Sequence, residues 1–141
     1  MKILVGVDGS DHATHAVEWC ASYAKALDAE VVVVHAIDLP VIASPTTVAF
    51  PVPQLTPEDR DQLEKIVTTQ WCAPLAEAGV AFRVVLKDSE PALAIMQAAK
   101  SEQADLVVTG RRGRGGFAEL VLGSTSYALT HHLDLPLVIV P

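Results

Sequence analysis

The densest chemistry in this chain lies between Ala104 and Thr125. An apolar run, Leu106–Thr109, is followed by Gly110, Arg111, Arg112, Gly113, Arg114, Gly115 and Gly116, then a short apolar bridge, then Gly123, Ser124 and Thr125. The order predicts a buried strand, a glycine-rich loop and the start of a helix. In that arrangement backbone N–H groups and a helix N-terminus surround an anion, a phosphate above all. Glycines suit it because a Cβ would keep the chain from wrapping closely, and because such loops use positive φ. The arginines oppose the charge of a polyphosphate, or else form a solvated basic turn. The spacing G-x2-G-x9-G-[ST] over Gly110, Gly113, Gly123 and Ser124 says more than the composition. With glycine at about 7% of residues, it should arise by chance in under about 1% of chains this long. The alternative is a surface loop whose glycines only turn the chain.

Other constellations carry less. His12 and His15 lie three apart, and His131 and His132 are adjacent, but no third ligand at matching spacing accompanies either pair, so no metal site is expected. There is no G-x4-G-K-[ST] of P-loop proteins. Val5-Gly6-Val7-Asp8-Gly9-Ser10 lacks the G-x-G-x-x-G of dinucleotide binders. No serine elbow, Cys–His pattern or general base for water activation stands out, and no catalytic residue is assigned. Cys20 and Cys72 fall in predicted helices and read as small buried hydrophobes.

The elements that must hold the glycine loop follow from periodicity. Ile3–Val7 and Val31–Ile37 are continuous apolar runs, as in strands buried on both faces. Between them Ser10 is a candidate N-cap, and Ala13, Ala16, Val17, Cys20, Ala24 and Leu27 recur at helical spacing to about Leu27. This β-α-β opening implies parallel strands and a right-handed crossover. Residues 39–57 carry five prolines, which rule out regular structure. This loop follows strand two on the side where ligands sit in such sheets, and is expected to lie over the site as a lid, the alternative being an insertion without a role. Thr56-Pro57-Glu58-Asp59 starts a helix well, with Leu63, Ile66, Val67, Trp71, Leu75 and Ala78 facing the core. Pro74 should kink or split it, and Gly79 should end it. Val80–Leu86 is strand three, Ser89 the expected cap of a helix with Pro91 in its first turn, and Ala92, Ile95, Met96 and Ala99 its buried stripe. Asp105–Thr109 is strand four, Ser124–Leu133 the last helix and Leu137–Val140 strand five. The sum is a single doubly wound α/β domain of five strands and four helices, residues 1–141.

The 141 residues fit one domain. Half are apolar and only 5% aromatic, so the core should be aliphatic. A net charge of −7 argues against nucleic-acid partners, although three of the ten basic residues cluster at 111, 112 and 114. Lys2 leads straight into a strand and no apolar run reaches membrane-spanning length, so neither a leader nor a membrane partner is expected and a reducing cytoplasm is the default.

The glycine spacing after strand four, the opening Ile3–Ser10 and the closing Pro136–Val140 resemble the ATP-binding branch of the universal stress protein family over nearly the whole chain. The resemblance implies a Rossmann-like fold of the adenine-nucleotide α-hydrolase type with strand order 3-2-1-4-5. Strands one and four would then be neighbours at a topological switch point, with Asp8 and Gly110 on one crevice. It implies that the loop at Gly110, Arg112 and Gly113, with Gly123, Ser124 and Thr125, holds phosphates. Asp8 would meet the ribose or base, where a carboxylate is a better neighbour than beside phosphate; otherwise it is a turn residue. The Ala36 backbone would contact adenine, and Gly6, Val7 and Thr109 would form apolar walls. The cofactor implied is ATP, with Mg²⁺ carried mainly by its phosphates and water. A homodimer through Leu137–Val140 is implied too, consistent with an exposed apolar sheet edge. Three functions compete: a nucleotide-dependent regulatory module, a slow ATP hydrolase or nucleotide-transfer protein, and an interaction dimer with an empty site. The downstream partner and the signal are not legible in any residue.

Overall fold

The computed structural model describes residues 1–38, 55–114 and 121–141. Most of the proline-rich segment, together with Gly115, Gly116 and Glu119, lies outside them, so the expected lid falls there. The elements run β1 (Lys2–Val7), α1 (Asp11–Tyr23), β2 (Glu30–Ala36), α2 (Pro57–Ile66), a π-helical turn (Val67–Trp71), α3 (Ala73–Glu77), β3 (Phe82–Lys87), α4 (Pro91–Glu102), β4 (Leu106–Gly110), α5 (Ser124–His132) and β5 (Leu137–Val140). The five strands form one parallel sheet in the order β3-β2-β1-β4-β5.

The apolar runs form central strands because both of their faces are covered. Ile3, Val5, Val7, Val31, Val33, Leu106 and Val108 pack on one side with α1, Val67 and Leu75. Leu4, Val32, Val34 and Val107 pack on the other with Ile95, Ala98 and Leu129 of α4 and α5. Side chains alternate across a strand, so an unbroken apolar run feeds both layers. The core is aliphatic as composition implies. Cys20 and Cys72 are fully buried and unpaired, and burial pushes both thiols up to about 12, so they act as small hydrophobes. Among the described residues no helix is long and apolar enough to cross a membrane.

Several boundaries differ from the sequence expectation. Helix α1 stops at Tyr23, short of Leu27. Asp28 takes φ +47° and the Ala29 N–H bonds back to the Ala24 carbonyl at 2.9 Å, which turns the chain into β2 and leaves Leu27 outside. The cap of α4 is Glu90, not Ser89. Pro91 fixes the first helical position, so the preceding residue is the cap, and Glu90 Oε1 accepts the Leu93 N–H at 2.8 Å. Helix α5 starts at Ser124 as expected, with Gly123 as its N-cap, and ends at His132. Strands β2, β3 and β4 are each displaced by one or two residues, an ordinary scatter at element ends. Thr56 caps α2 in a full capping box with Asp59. The helix is split before Pro74, but through a π-helical turn that periodicity did not announce. Gly79 takes φ +64° at the end of α3, as its position implied.

Candidate functional site

Strands β1 and β4 are neighbours, and the chain leaves them toward opposite faces, into α1 and α5. A crevice must open there. It is a cleft of about 780 Å³, lined by the eleven candidate binding residues Gly6, Val7, Asp8, Ala36, Thr109, Gly110, Arg112, Gly113, Gly123, Ser124 and Thr125. Arg114 lines it as well, while Arg111 does not.

The three motif glycines have different jobs. A Cβ on Gly110 would stand 2.5 Å from the His12 carbonyl oxygen and 2.9 Å from the Ala13 nitrogen, so Gly110 permits α1 to cross β4 closely. A Cβ on Gly113 would stand 2.5 Å from Asp8 Oδ2. A Cβ on Gly123 would stand 3.1 Å from Arg112 Cα and 3.5 Å from the Gly113 nitrogen, covering that amide.

The loop is braced at both ends. The Arg111 N–H donates to Val140 O at 2.7 Å, and Arg111 O accepts from the Gly123 N–H at 2.9 Å and from Ser126 Oγ at 2.8 Å. Two amides of the expected anion cradle are therefore committed to the fold. The N–H groups of Ser124 and Thr125, in the first turn of α5, have no preceding helical carbonyl to bond and point along the positive end of the helix dipole. Both residues line the cleft, as does Gly113.

Asp8 sits against this loop rather than apart from it. Its Oδ1 accepts from the Ser10 N–H at 3.0 Å and Ser10 Oγ at 2.6 Å, and its Oδ2 from the Arg114 N–H at 3.1 Å. One carboxylate thus ties the end of β1 to the start of α1 and to the glycine loop.

The wall opposite the loop was not found from spacing. Val34, His35, Ile37, Asp38, Leu63, Pro91 and Ile95 complete the cleft. Gly6 is small because Ile95 Cδ1 lies 2.5 Å from where its Cβ would be. His35 interrupts a valine run, which is the signal that could have marked it. Its Nδ1 lies 2.8 Å from Val7 O, and since a carbonyl only accepts, that nitrogen carries the proton in neutral His35. Its ring meets Trp71 edge-on at 5.1 Å. Burial lowers the imidazole below its ordinary 6.5, and the Arg114 cation adds to this against the Val7 bond and the Asp8 charge.

A histidine lowered in this way binds protons better unfolded than folded. Its neutral form contributes stability that is full above the ordinary imidazole value and lost as pH falls through it. The Tm of the wild type should therefore drop more steeply than that of His35→Gln from about pH 7 to about pH 5. Parallel Tm profiles would refute this.

The fold is a doubly wound α/β domain with a glycine loop and a helix N-terminus at its switch point. The family model described as "Universal stress protein family" matches residues 1–141, and the chain belongs to that family. It is 30% identical over 144 residues to universal stress protein YxiE of Bacillus subtilis, covering 99% of this chain and 97% of that one. Among solved structures it resembles the universal stress protein of Archaeoglobus fulgidus in complex with dAMP (TM-score 0.70, 20% identity, 100% of this chain and 98% of that one). It also resembles a universal stress protein family member from Arabidopsis thaliana with AMP bound (TM-score 0.66, 19% identity, 99% and 90%).

Proposed function

We propose that this chain binds ATP in the β1/β4 cleft and acts as a nucleotide-dependent regulatory module of the stress response in the cytoplasm. The observation that carries the reading is that Gly113, the α5 N-terminus and an apolar wall line one cleft of about 780 Å³. That is a normal size for a small-molecule site. The wall of Val7, Val34, Ala36 and Ile95 suits a base, and the loop and α5 suit its phosphates. The AMP and dAMP complexes of two structural relatives support an adenine nucleotide as ligand. Mg²⁺ would ride on the phosphates, because Asp8 is already committed to three donors.

Hydrolysis asks for a group to orient water. Asp8, which among the described residues is the carboxylate bonded to the loop, is held by its donors, which favours retention of ATP over turnover. Mass spectrometry of the purified protein should find bound adenine nucleotide, and a single-turnover assay with ATP and Mg²⁺ should match the buffer rate. A protein free of nucleotide that also fails to take up ATP would overturn the proposal, and a rate above buffer would favour the slow hydrolase.

Assembly as a homodimer through β5 belongs to the same proposal. Val107 N–H bonds Pro136 O and Arg111 N–H bonds Val140 O, so the polar groups of Val138 and Val140 face β4. Those of Leu137 and Ile139 then face the open sheet edge. Ile139→Pro removes one outward N–H without breaking the β4 ladder. It should convert dimer to monomer in analytical ultracentrifugation with an unchanged circular dichroism spectrum. A persisting dimer would contradict pairing through this edge.

A further inference from the structure

Arg114 leaves the glycine loop and lies across to the π-helical turn. Its guanidinium carbon is 5.6 Å from the centre of the Trp71 ring. Its Nη2 and Trp71 Cζ2 lie 2.6 and 2.5 Å from where a Cβ on Gly9 would be, so both cover Gly9, which holds φ +78°. His35 also meets Trp71, edge-on at 5.1 Å. The Arg114 N–H is fixed to Asp8 Oδ2, so the main chain is anchored while the side chain is exposed and long enough to swing. Trp71 occupies this place because the π-helical turn, Val67–Trp71, carries its ring to the carboxyl end of β1. Pi-helical turns often sit at functional places.

We propose that Trp71 is a parking site for Arg114: without an anion the guanidinium rests on the indole, and a polyphosphate in the cleft draws it off to pair with the charge. The inference rests on the nucleotide reading above. It adds to that reading a residue that discriminates polyphosphate from nucleoside, and a second that positions it. An exposed cation on an aromatic face is held weakly, whereas a guanidinium on a phosphate makes charge-assisted, often bidentate bonds. The exchange therefore runs toward the phosphate. Arg114 already lines the cleft, so it needs to turn rather than travel.

Trp19→Phe leaves Trp71 as the sole tryptophan and makes its emission the readout. ATP and inorganic tripolyphosphate should both change that emission, and adenosine should not. Arg114→Met should abolish the change and weaken ATP by about tenfold, with adenosine affinity within about twofold of wild type. Trp71→Phe should keep ATP affinity at or above the wild-type value, because the resting contact is weaker, while a purely structural role for Trp71 would lower affinity for ATP and adenosine together. An equal emission change with adenosine, or calorimetric ATP binding with no emission change, overturns the parking contact and leaves nucleotide binding standing. No calorimetric signal with any of the three ligands overturns both.

Discussion

Gly113→Val should weaken ATP binding by at least about a hundredfold, as measured by isothermal titration calorimetry, because two charge-assisted contacts at the loop are lost together. Gly113 is exposed, and the nearest atom to its missing Cβ is the Asp8 carboxylate at 2.5 Å. A branched side chain there must push Asp8 aside. That breaks its bond to the Arg114 amide, opens the loop and places apolar bulk over the amide that should meet a phosphate. The fold has little at stake, since no core residue is involved, so Tm should fall by no more than about 5 °C. Gly123→Val is a less clean probe, because its Cβ would press on the backbone at Arg112 and Arg111. Wild-type affinity in Gly113→Val would remove the loop from the binding account.

Gly110→Ala should act on the opposite property. Its single added methyl would stand 2.5 Å from His12 O, 2.6 Å from His12 C and 2.9 Å from Ala13 N. These are backbone atoms of α1, and none can rotate away. The helix must shift from β4, against a core in which Ala13, Ala16, Val17 and Cys20 are buried. Overpacking of this kind costs about 2–4 kcal/mol, and Tm should drop by roughly 10 °C in thermal denaturation. An unaltered Tm would mean that α1 does not cross β4 this closely. The first glycine of the motif thus serves helix packing, while the second serves the loop, although both belong to one spacing pattern.

Much of the fold was legible because its determinants are local. Continuous valine and isoleucine runs can only be strands covered on both faces. Thr56-Pro57 with Asp59, Pro74 and Gly79 fix their termini through φ and hydrogen-bond demands that hardly depend on the rest of the chain. The cap at Glu90 was missed because Ser89 competes with it in a propensity argument, and only the position of Pro91 decides between them. The π-helical turn was missed because it preserves apolar spacing on either side of one extra residue.

The amino-acid sequence by itself determined the α/β class and the glycine and hydroxyl residues of the loop, while the crevice between Asp8 and Gly110 followed from the strand order that the family resemblance implies. Only the tertiary structure decided how those residues divide the work. It committed the Arg111 and Gly123 amides to the fold, set Asp8 against the loop, brought His35 and Ile95 to the opposite wall, and packed Trp71 on His35. The physical reason is that what a glycine or a carboxylate does depends on the atoms a few ångströms away. Those atoms come from α1, the π-helical turn and α4, whose approach is set by packing across the sheet and leaves no mark in local spacing.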